Sequence, residues 1–155
     1  MDIGSKNGYP SANLSNFHPH PFVIDGVQCA SMEGFLQSLK FESKEMQEHV
    51  CSLVGYAAKK KGRPKNWYQS QTLWWRGKPY KRDSKEYQDL LDRAYDALNE
   101  NSKFRSALEA TGDAVLTHSI GKNKINETVL TTREFCSRLT KLRAKNRENK
   151  IQKLF

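Results

Sequence analysis

The sequence predicts a helix-dominated α+β fold: a single domain carrying one small β-hairpin. Three observations lead there. Apolar residues recur at helical spacing through most of the chain. One stretch, Phe22 to Cys29, instead reads as two short strands around a turn signal. The length of 155 residues suits one domain, since domains cluster near roughly 100–150 residues. An apolar fraction of 37% with 10% aromatics is enough for a core and argues against disorder.

The elements follow in order. Residues 1–20, rich in Gly, Pro, Ser and Asn, read as an irregular leader. Phe22-Val23-Ile24 and Val27-Gln28-Cys29 flank Asp25-Gly26, a dipeptide suited to positive φ in a two-residue turn. Ser31 caps a helix running to about Phe41, with Met32, Phe35, Leu36 and Leu39 at i, i+3, i+4 and i+7. Glu33, Gln37 and Lys40 form the adjacent polar stripe. A second helix is expected from about Ser43 to Lys60, ended by Gly62 and Pro64. Residues 62–82 read as loop. Asp83 and Glu86 resemble a capping box opening a helix with Tyr87, Leu90, Leu91, Ala94, Tyr95 and Leu98 on one face. A shorter helix over 102–111 stops at Gly112, and 113–130 is a loop containing His118 and Gly121. Thr131 and Glu134 form another capping box, opening a helix with Phe135, Leu139 and Leu142. The last residues are expected to fray. The domain is placed at 1–143 and a basic tail at 144–155.

The formal charge of +9 is concentrated. Residues 59–65 carry +5, residues 76–85 carry +4 and residues 138–155 carry +6, leaving −6 for the rest. Basic patches attract polyanions: nucleic acid or a phosphate-bearing metabolite. The two central patches flank Trp67, Tyr68, Trp74 and Trp75, and cations interleaved with aromatics suit phosphates and stacked bases. A solvated surface is the alternative, most of all for the tail. No apolar run reaches the roughly 20 residues of a membrane span, and the first residues do not resemble a secretory signal. A cytoplasmic protein without a membrane partner is expected. Cys29, Cys51 and Cys136 are too few and too far apart for a disulfide framework or a CxxC zinc site.

Glu33 is the first candidate for chemistry. Helix-dipole compensation alone explains a glutamate in a first turn. If Glu33, Gln37 and Lys40 face a cleft instead, a carboxylate beside a lysine suits acid–base work on a glycosidic bond. His18 and His20 lack further ligands at metal spacing, so no metal is assigned. His118 lies in TGDAVLTHSIGK; the GK and NK that follow offer N–H groups and cations to a phosphate, but no Walker pattern is present. GxGxxG, GxSxG, HExxH and EF-hand patterns are also missing, which disfavours dehydrogenase, serine hydrolase and zincin readings.

The order of segments is more specific than any one of them. LSNFHPHPFVIDGVQCASMEGFLQSLKF is followed by GYAAKKKGRPKNW, KFRSALEATGDAVLTHSIGKNK and VLTTREFCSRLTKLR. This resembles the NADAR (NAD and ADP-ribose) family and its YbiA-like branch, over roughly residues 6–143. The match from Ser31 to Phe41, the pattern S-x-E-x-x-x-Q-x-x-KF, is the most specific part. The resemblance implies an N-glycosidase acting on the C1–N bond of an ADP-ribosyl or ribosyl-phosphate group. The central patches favour ADP-ribose on guanine in nucleic acid. A riboflavin-pathway intermediate is the alternative substrate, and a non-catalytic ADP-ribose- or NAD-binding module the alternative function. No cofactor is implied.

Residue by residue, the resemblance makes Glu33 the catalytic carboxylate. It makes Lys6, the only lysine before the SNF element, the candidate amine for a Schiff base at C1. Asn16, Phe17, Gln37, Lys40 and Trp67 fall at matched positions as substrate contacts, and Asp113, His118 and Gly121 fall near the late active-site loop. Two departures stand out: the late loop reads HSIGKNKINET, without the family's WG-type aspartate-containing sequence, and residues 72–87 are an insertion.

Overall fold

The computed structural model describes residues 1–155. Eight helices and two antiparallel hairpins surround one core. The first hairpin pairs β1 (Phe22–Ile24) with β2 (Val27–Cys29), and both turn residues have positive φ, Asp25 at 50° and Gly26 at 77°. The leader is less irregular than expected. It contains α1 (Ser11–Leu14), buries Ile3 fully, and bridges Asp2 to Thr117.

Ser31 caps α2 (Met32–Ser38), accepting from Gly34 N at 3.1 Å. The long helix expected over 43–60 is two helices, α3 (Lys44–Cys51) and α4 (Gly55–Gly62). The break has a tertiary cause. Cys51 O accepts from Ala30 N at 2.8 Å, and Leu53 O accepts from Ser31 Oγ at 3.0 Å. These carbonyls leave the helical ladder to hold the start of α2. Gly34 permits the approach, because a Cβ there would sit 2.6 Å from Leu53 O. Gly55, at φ 53°, restarts the chain in a new direction.

The segment read as loop after Gly62 holds α5 (Trp67–Ser70) and a second hairpin, β3 (Thr72–Trp75) with β4 (Lys78–Lys81). Arg76 at φ 51° and Gly77 at φ 86° repeat the turn geometry of the first hairpin. Leu73, Trp75 and Tyr80 point inward, so this insertion is part of the core rather than an appendage. α6 (Lys85–Leu98) is capped by Ser84 instead of Asp83, through Tyr87 N at 3.1 Å. α7 (Ser102–Ala110) is capped by Asn101. The capping box of Thr131 and Glu134 opens α8 (Thr132–Gln152). The residues expected to fray stay helical to Gln152. Asn146 pairs with Asn99, and Arg147 with Asp113 at 2.8 Å, so α8 docks as far as Arg147 and its last residues are exposed. No helix is long and apolar enough to cross a membrane.

One buried ion pair joins these pieces. Arg82, 1% exposed, meets Glu134 through Nη2–Oε1 at 2.6 Å and Nη1–Oε2 at 3.0 Å. Glu134 also accepts from Gln88 Nε2 at 2.6 Å and Thr131 N at 2.8 Å. Burial raises the Glu134 acid, but Arg82, Thr131 and Gln88 outweigh it and hold the carboxyl below its ordinary range. Its contribution to stability is present at neutral pH and is lost as pH falls through that depressed pKa. Replacing Arg82 with Met should destabilise the fold by about 3–5 kcal/mol, because Glu134 stays buried without its partner. Urea unfolding at pH 7 measures this, and a loss below about 1 kcal/mol would contradict the role.

Candidate active site

The site is assembled by α2 and the segments that cross it. Glu33 N donates to Asn16 O at 2.9 Å, which brings the SNF element against the first turn of α2. Asn16 Oδ1 accepts from the buried Tyr95 hydroxyl at 2.8 Å, fixing the amide. Phe17 follows, and Lys59 of α4 lies over its ring at 5.9 Å. Trp67 of α5, Gln37 of α2, Lys40 in the turn after it, and Phe135 of α8 complete the inner wall of a cavity of about 380 Å³. That volume falls within the range of small-ligand sites.

The opposite wall is the 118–130 segment. His118 Nδ1 donates to Ile3 O at 2.7 Å, which leaves Nε2 without a partner inside the protein. Its ring packs edge-on against Phe135 at 5.2 Å. Gly121 is required for the close approach. A Cβ there would lie 2.5 Å from His118 Cδ2 and 2.5 Å from Thr132 Oγ1. Thr132 N donates to Lys122 O at 2.9 Å and places Lys122 at the rim. Thr128, Val129 and Leu130 line the far side. They are held from behind, because Thr128 O accepts from Arg82 Nε at 2.8 Å and Val129 O from Tyr87 OH at 2.6 Å.

Charge is unevenly matched inside. Glu33 accepts one hydrogen bond, from Gln37 Nε2 at 2.9 Å. Burial pushes its carboxyl above the ordinary range, against the pull of the Gln37 bond, Lys59, Lys40 and His118. Burial likewise lowers the Lys40 ammonium. Glu33 opposes that fall, while Lys122 and Lys59 add to it. Gln37 packs against Gly62, and its Oε1 is buried without a donor. The Glu33 carboxyl is thus accompanied by three cations, with a second, exposed glutamate, Glu127, also in the lining and Phe17, Trp67 and Phe135 as apolar walls. Such a site suits an anionic ligand with a sugar or ring to stack.

Eight of the residues singled out from sequence line this cavity: Asn16, Phe17, Glu33, Gln37, Lys40, Trp67, His118 and Gly121. Two do not. Asp113 sits in the turn after α7, where its carboxylate pairs with Arg147 in solvent, so the docking of α8 and not the cavity explains it. Lys6 is exposed in a tight turn closed by Asn7 N to Gly4 O, and only its neighbour Ser5 reaches the cavity wall. Lys59 and Lys122 were not singled out as site residues. Both lie in basic stretches legible as charge, but their convergence depends on the α3–α4 break and on the fold of the late loop. His18 and His20 lie elsewhere, with His20 Nε2 against Asn13 O at 2.7 Å.

Comparison with known proteins places the chain in a family and a fold. A family model described as bacteriophage protein GP30.3 matches residues 8–144. The uncharacterized 17.1 kDa protein in the Gp30-rIII intergenic region of Enterobacteria phage T4 is 40% identical over 146 residues, covering 92% of this chain and 96% of the phage T4 protein. Among solved structures, the NMR structure of Escherichia coli YbiA matches with a TM-score of 0.62 over 97% of this chain and 86% of YbiA, at 19% identity. The NADAR resemblance read from the sequence therefore holds at the level of fold. The chain belongs to the bacteriophage GP30.3 family, built on the YbiA-like α+β fold.

Proposed function

We propose that this protein is an N-glycosidase that hydrolyses the C1–N bond of an ADP-ribosyl or ribosyl-phosphate adduct, with ADP-ribose on guanine in nucleic acid as the favoured substrate. The observation that carries the reading is Glu33, a buried carboxyl facing a cavity lined by Lys40, Lys59 and Lys122. The lysines suit the phosphates, and Phe17 and Trp67 suit a ring. As the C1–N bond lengthens, C1 gains positive charge, and the Glu33 carboxylate offsets that charge from the wall of the cavity. The bonding pair leaves with the base nitrogen; water supplies the proton to the base and the hydroxyl to C1.

The family pattern adds a covalent route through Lys6. Its amine attacks C1 as the base departs, the ribose ring opens to an imine, and water releases the sugar and restores the lysine. Ser5, the neighbour of Lys6, lines the cavity, and a lysine side chain is long enough to reach inward from that position, which supports this route.

Glu33→Gln keeps the hydrogen-bonding shape and removes the charge. It should lower release of ADP-ribose from modified DNA or RNA about a hundredfold or more, without changing the melting temperature. Product identification by mass is the readout, and full residual turnover would sink the role. The carboxylate form is the active one, so kcat/KM should fall on the acid side through a pKa above the ordinary carboxylate range. Lys59 favours the charged form of Glu33. Lys59→Met should therefore move that acid limb to higher pH, whatever it does to affinity; a limb that stays put contradicts the coupling. Borohydride reduction during turnover should cross-link the ribose to the wild type and to Lys40→Ala but not to Lys6→Ala. An adduct that survives in Lys6→Ala removes Lys6 from the mechanism.

A further inference from the structure

Residues 49–82 contain nine lysines and arginines and no aspartate or glutamate. Five of those cations, Lys59, Lys60, Lys61, Arg63 and Lys65, lie on α4 and just after it, all exposed. None takes part in an ion pair, although the chain forms six such contacts elsewhere. The helix dipole favours the cations in the last turn of α4, Lys59, Lys60 and Lys61, but it says nothing of the aromatics beside them. Tyr56, Lys59, Lys60 and Arg63 recur at i, i+3, i+4 and i+7, so they share one face, while Ala58 and Gly62 are the buried residues of α4. Tyr56 is 58% exposed, and the Arg63 guanidinium lies 5.4 Å from its ring centre. Tyr68 on α5 is 57% exposed. The same two helices supply Lys59 and Trp67 to the cavity wall, so this face runs without interruption into the site.

We infer that the α4–α5 face is a track for single-stranded nucleic acid, with phosphates along Lys60 and Arg63 and bases on Tyr56 and Tyr68. The exposed rings are tyrosines and the aliphatic side chain beside them is one valine, Val54 at the cap of α4, which fits base stacking better than insertion into a lipid surface. A duplex keeps its bases stacked on each other, so rings offered to bases select a single strand. The inference rests on the glycosidase reading only for which nucleotide enters the cavity; binding of an unmodified strand is independent of it.

A fluorescein-labelled oligothymidylate of roughly 20 nucleotides, followed by anisotropy, tests the track. Wild type should bind it saturably, with affinity that falls steeply with salt. The double variant Lys60→Glu/Arg63→Glu should weaken binding about tenfold or more and flatten the salt dependence. Tyr56→Ala and Tyr68→Ala should each weaken it about fivefold. The tail variant Lys150→Glu/Lys153→Glu should stay within about twofold, since those residues lie at the far end of α8. Melting temperatures of all variants confirm folding. Absence of saturable binding, a double variant that binds like wild type, a loss confined to the tail variant, or equal binding of phosphatidylserine vesicles would each overturn the track. A protein that binds the strand by this face yet releases no ADP-ribose would leave the track standing and remove the glycosidase reading.

Discussion

The ion pair between Arg82 and Glu134 sets the geometry on which the cavity depends. Taking two charges out of water is unfavourable unless every lone pair finds a donor. Here Glu134 receives four: two from Arg82, one from Thr131 and one from Gln88. Gln88 is itself oriented by Arg138, which donates to its side-chain and main-chain oxygens. The remaining Arg82 donor, Nε, goes to Thr128 O. A single buried group therefore ties the end of the second hairpin, the side of α6, the first turn of α8 and the outer wall of the cavity. This explains how residues 72–87, read from the sequence as an insertion, come to be part of the core: they carry the arginine.

Glu33 and Glu134 make an instructive pair. Both are glutamates in the first turn of a helix, and burial raises the acid of both. Glu134 ends below the ordinary range because an arginine and two other donors, Thr131 and Gln88, favour its charge. Glu33 ends above it because a single amide donates to it and the nearby lysines act without direct ion pairing. The first carboxyl is saturated and structural. The second retains unused hydrogen-bonding capacity in a cavity with room for a ligand, the condition expected of a group that must respond to charge developing on a substrate.

Local chemistry was readable from the sequence where it is self-contained. The Asp25-Gly26 turn, the Ser31 cap, the Thr131–Glu134 capping box and the stripe of Glu33, Gln37 and Lys40 all depend on residues within seven positions of one another. Whether that stripe faced solvent or a cavity was not decided by spacing, since helix-dipole compensation accounts for Glu33 equally well; Asn16 O, Lys59 and the late loop close the space around it. The second hairpin was hidden because Arg76-Gly77 is a weaker turn signal than Asp-Gly, and its strands were masked by the surrounding glycines, prolines and cations. Asp113 was misplaced because a motif near the late loop does not say which way the turn after α7 faces, and Arg147, far along the chain, decides it.

The break between α3 and α4 shows how a local fault serves the site. Lys59 lies eight residues beyond Cys51, so one continuous helix would carry it about 12 Å further along the α3 axis. Instead, the Cys51 and Leu53 carbonyls turn to hold Ala30 and Ser31, the residues that open α2. Gly55 then redirects the chain, and α4 returns along α2 until Gly62 rests on Gln37. The same contacts that end α3 thus anchor the helix bearing Glu33 and bring a lysine toward its carboxyl. Gly34 and Gly62 are the two positions where this arrangement leaves no room for a side chain, one against a main-chain carbonyl and one against Gln37. The spacing between Glu33 and its cationic surroundings is therefore fixed by backbone hydrogen bonds and two close approaches, not by an ion pair that a ligand would have to break.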